Sequence, residues 1–102
     1  MISLILNTIS KIIEIIHDKN LNAISYKMLA TSHSGASPVF FRLQSSDPIS
    51  KKIQLGEVVE INGEATINLG RVYICYFGNY ALINLKNLAL EISDPATVRL
   101  VQ

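Results

Sequence analysis

Residues 56–78 read GEVVEINGEATINLGRVYICYFG, and their hydrophobic period is two. Val59, Ile61, Ala65 and Ile67 alternate with Glu60, Asn62, Glu64 and Thr66, the pattern of a strand with one face toward a core. Asn62-Gly63 interrupts the run. That pair either turns a hairpin or marks a bulge in one long bent strand. Gly70 then punctuates the chain. Val72, Ile74 and Tyr76 alternate with Arg71, Tyr73, Cys75 and Phe77 as a further strand. Gly78-Asn79 is a second turn signal, with strand continuing over 80–85.

Working back toward the N-terminus, the same period holds. Over 22–32, Ile24, Tyr26, Met28 and Ala30 take one face and Ser25, Lys27 and Thr31 the other. Residues 33–38 (HSGASP) are a loop by composition. Over 39–44, Val39, Phe41 and Leu43 oppose Phe40, Arg42 and Gln44. Asp47-Pro48 stops this strand, and a short helical turn is expected over 49–53. The first twenty residues read differently. Ile2, Ile5, Leu6, Ile9, Ile12, Ile13 and Ile16 recur at spacings of three and four, while Asn7, Ser10, Lys11, Glu14 and Asp18 fill the opposite positions. This spacing predicts an amphipathic helix over 1–19, with Asn20 as its C-cap. Residues 86–92 suit either a strand or a short helix, and Val98 and Leu100 close the chain with a last alternation.

Several short strands with Gly at the corners suggest a small closed barrel, which also removes exposed strand edges. The expected architecture is therefore mainly β: a single domain over 1–102, with a helix at 1–19 and a barrel of about five strands over 21–102.

Within residues 56–78, the order Gly56, Glu57, Val58, Val59, Ile61, then Gly70, Val72 and Ile74 resembles the last two barrel strands of the OB-fold in replication protein A-like and archaeal single-stranded DNA-binding proteins. The Phe40–Leu43 strand and the turn at 49–53 suit the elements expected just upstream. The resemblance implies an OB-like Greek-key barrel that binds single-stranded nucleic acid, DNA more than RNA, as a replication or repair accessory or a complex subunit. The chain departs from the pattern in two places. Residues 21–44 have room for two strands where the family usually has three, and the acidic-Gly turn between the second and third strands is missing.

Composition limits the alternatives. The 102 residues carry nine Lys plus Arg against eight Asp plus Glu, a formal net charge of +1, and 49% of them are hydrophobic. Disorder is excluded, and any polyanion must be met by a local patch, because long-range attraction is slight. The lone Cys75 permits no internal disulfide, which suits a reducing cytoplasm. No run reaches the roughly 20 apolar residues of a membrane span, and the N-terminus lacks the basic start of a signal peptide.

Catalysis is not expected. His17 and His33 lie on separate elements, neither stands at metal-ligand spacing with Cys75 or an acid, and no phosphate-cradling glycine motif is present. Cys75, between Ile74 and Tyr76, reads as a packed residue. No cofactor or metal is implied.

What remains is a binding face. If Phe41 and Leu43 point inward, then Phe40, Arg42, Arg71, Tyr73 and Phe77 point outward as a stacking platform, with Lys27, Lys51 and Lys52 as phosphate contacts. A base stacked on such a ring is worth about 1–3 kcal/mol. The carboxylates of Glu57, Glu60 and Glu64 would oppose a phosphate backbone if they shared that face. The alternative is a protein–protein scaffold in which Ile2, Ile5, Ile9, Ile12 and Ile16 of the N-terminal helix hold a partner subunit or a second copy.

Overall fold

The computed structural model describes residues 2–31, 38–67, 74–77, 80–83 and 89–101. The N-terminal segment is a strand, β1 (Ile2–Asp18), and the expected helix is not there. Turn residues 19–22 lead into β2 (Ala23–Ala30), followed by β3 (Val39–Gln44), a 3₁₀ turn (Pro48–Lys51) and β4 (Val58–Ile67). β5 (Ile74–Phe77) and β6 (Tyr80–Ile83) pair antiparallel as a separate two-stranded sheet. Then come β7 (Ala89–Ile92), a second 3₁₀ turn (Pro95–Thr97) and β8 (Val98–Leu100).

The reason β1 is not a helix lies in its side chains. Seven of its residues are isoleucine, whose β-branched side chain is stiff in a helix and packs well on a pleated surface. The inward positions before residue 13 are Leu4, Leu6, Thr8, Ser10 and Ile12, while Ile5, Ile9 and Lys11 are exposed. Ser10 is 1% exposed, and its hydroxyl shares a 2.8 Å hydrogen bond with that of Thr8. Two polar residues inside and two isoleucines outside thus conceal the period of two. A bulge completes the disguise. Pairing with β2 shifts register between Ile12 and Glu14, so Ile13 is extra and Ile15, opposite Tyr26, becomes the next residue packed against the core. The spacings of three and four mix residues from both faces of one strand.

β1 bonds β4 along Ile2–Lys11 and β2 along Ser10–Asp18, so its two halves use opposite neighbours. β2 pairs with β3 antiparallel, β3 with β7 in parallel, and β7 with β4 antiparallel. The order β1-β2-β3-β7-β4 therefore returns to β1 as a closed ring of five strands, compatible with a small barrel. β1 supplies a strand upstream of the window 21–44, where only two were legible. β8 extends the sheet along Val59–Ile61 of β4.

The core within this ring is built from Ile12, Ile24, Tyr26, Met28, Phe41, Leu43, Ile53, Val59, Ile61, Ala65, Leu90 and Val98. Tyr26 and Phe41 stack at its centre with ring centroids 5.0 Å apart. Each large side chain fully withdrawn from water contributes about 1.5–3 kcal/mol.

Asn62-Gly63 neither turns nor bulges. β4 keeps one register with β1 from Ile2↔Ile67 to Lys11↔Val58. Gly63 is required because Thr97 lies against it: a Cβ at this position would come 2.7 Å from the Cβ of Thr97. Asn20 caps no helix. With Leu21 it donates its backbone N–H to Asp18 Oδ1, at 3.0 and 3.1 Å, in the turn between β1 and β2. Asn22 completes that turn at a left-handed φ of 49°, a conformation Asn tolerates better than most residues.

Candidate nucleic-acid interface

In β3, Phe41 and Leu43 are buried while Phe40 and Arg42 are half-buried, and in β2 the half-buried Lys27 stands between buried Tyr26 and Met28. Antiparallel register places Lys27 opposite Phe40 and Ser25 opposite Arg42. The parallel β3–β7 pairing extends the second row from Arg42 to Glu91. On the other side, β1 brings Glu14 opposite Lys27 and Ile16 opposite Ser25. Two register rows thus cross the wall: Glu14, Lys27 and Phe40, then Ile16, Ser25, Arg42 and Glu91, with Ser25 buried among its neighbours.

Contacts follow the rows. Lys27 Nζ sits 5.7 Å from the centroid of the Phe40 ring and 3.7 Å from Glu14 Oε2. Arg42 donates from Nη1 to Glu91 Oε1 at 2.8 Å and from Nε to Ser25 Oγ at 3.4 Å. The Arg42 guanidinium is therefore oriented from both sides. Phe40, Lys27 and Arg42 are all half-buried. The result is an aromatic ring flanked by two cations, each of which has a carboxylate beside it.

The other candidate residues are placed differently. Lys51 and Lys52 are exposed on and just after the first 3₁₀ turn, off the two rows. That turn is anchored from below: Tyr26 Oη donates to Ser50 O at 2.8 Å, and Ile53 joins the core. Arg71 and Tyr73 lie outside the described residues, and Phe77 is described only by its backbone position at the end of β5. All three belong to the connection between β4 and β7. Cys75 is on β5, and His33 lies outside the described residues.

Sequence reasoning missed Glu14 and Glu91. Glu14 fell on the polar side of the expected helix, and Glu91 lay in a segment read as either strand or helix. The acids it singled out lie elsewhere. Glu60 accepts from Arg99 Nε at 2.7 Å, and Glu64 accepts from Ser3 Oγ at 3.5 Å. Both are on β4, which borders β1 and β7 and not the β2–β3 pair.

The residues expected to form an association helix are divided by the strand. Ile5, Ile9 and Ile16 are exposed, Ile5 at 80%, whereas Ile12 is fully buried in the core. Ile2 pairs with Ile67 through its backbone. A helix-borne interface is thereby removed; what β1 presents instead is an outer row of Ile5, Ile9, Ile13 and Ile16.

Among the described residues, no cluster of three or more His, Cys, Asp or Glu is placed to hold a metal ion, and no helix is long and apolar enough to cross a membrane. No family model, no curated protein and no solved structure matches the chain.

Proposed function

We propose that the chain is a non-catalytic, OB-like module that binds single-stranded nucleic acid on the outer face of β2 and β3. The observation that carries this reading is the register of Lys27 with Phe40 beside that of Ser25 with Arg42. It sets an aromatic ring and two cations on adjoining strands of one wall. OB-folds are five-stranded Greek-key barrels that take oligonucleotides on the face of their second and third strands and on the loops after the first and fourth. The ring β1-β2-β3-β7-β4 is compatible with that plan. In it, Arg71, Tyr73 and Phe77 belong by sequence to the loop after the fourth barrel strand. Aromatic rings beside a guanidinium accept bases of any identity, since every base has a π-face. DNA is the preferred partner on the earlier resemblance, in a replication or repair setting. The lone Cys75 suits a reducing cytoplasm.

The test is fluorescence anisotropy with a labelled oligothymidylate at low salt. Phe40→Ala leaves the core intact, because Phe40 points outward. It is expected to weaken binding by about 1–3 kcal/mol, the worth of one stacked base. Unchanged affinity would remove Phe40 from the interface.

A second reading, self-association, is favoured by the exposed row Ile5, Ile9, Ile13 and Ile16 on β1. Deleting residues 1–19 cannot test it, since that removes a strand of the ring. Light scattering of Ile9→Lys can: this reading expects a smaller species than the wild type. A wild type that is monomeric throughout contradicts it.

A further inference from the structure

The two cations on the proposed face are not free, and the groups that hold them come from outside β2 and β3. Glu91 of β7 takes Arg42 at 2.8 Å, and Glu14 of β1 takes Lys27 at 3.7 Å. We propose that Glu91 and Glu14 are specificity-determining residues, which withhold Arg42 and Lys27 from phosphate so that the face selects exposed base rings over nucleic-acid backbone. This rests on the single-strand reading above.

The geometry argues for it in three ways. First, guanidinium binds phosphate best through two parallel N–H bonds. In Arg42, Nη1 already serves Glu91 and Nε is turned toward Ser25. Second, a phosphate reaching Arg42 or Lys27 comes next to a carboxylate, and like charge repels it. Third, Phe40 stands opposite Lys27 and two residues before Arg42 on β3, and its ring offers a surface that carries no such penalty. The selected ligand is a strand whose bases are unstacked; duplex, which hides its base faces and offers mainly phosphate at this surface, is rejected. Both pairs are partly solvent-exposed, with Arg42 and Glu91 side chains at 24% and 42% and Lys27 and Glu14 at 34% and 49%. Such pairs are individually weak, so the carboxylates bias selection by a modest factor.

The experiment titrates the full chain, wild type and as Glu91→Gln, Glu14→Gln and the double variant. The probes are an oligothymidylate and an abasic strand of equal length, at about 50 mM and about 200 mM salt, the range where backbone contacts report themselves. Glutamine keeps the shape and an accepting oxygen, so the fold is retained, which a thermal melt checks. Each substitution is expected to tighten oligothymidylate binding on the order of threefold at the lower salt and to steepen the slope of log affinity against log salt by about 0.7, the value for one phosphate of a single strand. The abasic strand, weak on the wild type, gains most. Glu64→Gln removes the same charge from β4 and is expected to change binding less. The inference is overturned, and the single-strand reading stands, if the wild type binds and the glutamine variants bind no tighter, or if Glu64→Gln gains as much. If neither wild type nor variants bind either strand, both fall.

Discussion

Tyr26 is fully buried, yet its phenol is satisfied, since the hydroxyl donates to Ser50 O while the ring stacks on Phe41. It ties the core of the barrel to the turn that carries Lys51 and Lys52. Burial pushes its pKa up from 10.0 to about 12; the nearby Asp47 carboxylate adds to the rise and hydrogen bonding with Ser50 partly opposes it. Because the folded state holds this proton more tightly than the unfolded chain does, the contribution is complete below about pH 10. It is lost as pH rises from there through about 12. Tyr26→Phe is expected to cost about 1–3 kcal/mol in a urea titration at neutral pH, because Ser50 O loses its buried donor. The variant is also expected to lose this part of the alkaline decline in stability. An unchanged slope above pH 10 would mean that another group governs it.

At the scale of the element, β1 decides whether the ring closes. Ile12 and Ile9 are three positions apart and share the apolar side of the expected helix, but the strand sends them to opposite faces. Ile12→Ala is therefore expected to cost about 2–5 kcal/mol, as for a buried large-to-small change, and Ile9→Thr only about 0.5 kcal/mol or less, as for an exposed site. Chemical denaturation of the two variants measures this directly; equal losses would restore the helical face. The contrast also explains what was legible. β3 could be read from its residues because Phe41 and Leu43 go inward while Arg42 and Gln44 go outward. β1 could not, because Thr8 and Ser10 satisfy one another inside the barrel, Ile5 and Ile9 face out, and Ile13 breaks the phase. Local pattern carries no sign of such compensation. Only the partners on β2 and β4 make it affordable.

Over the whole molecule, near-neutral charge takes on a structural meaning. Lys27, Arg42 and Arg99 each have a carboxylate partner on a neighbouring strand: Glu14, Glu91 and Glu60. The outward aim of Lys27, Phe40 and Arg42 followed from alternation within β2 and β3. Their counter-ions did not, since Glu14 and Glu91 reach them only through the registers of β1 and β7, more than ten and nearly fifty residues away. A protein of this kind attracts polyanions weakly at a distance, so its affinity rests on what touches the wall between Glu14 and Glu91. The most direct test of that claim is a backbone amide NMR titration of the isotopically labelled chain with an unlabelled oligothymidylate. The largest shifts are expected at Lys27, Phe40 and Arg42 and at their row partners Ser25 and Glu91. Absence of shifts, or largest shifts along Ile5 and Ile9 on the outer face of β1, would contradict it.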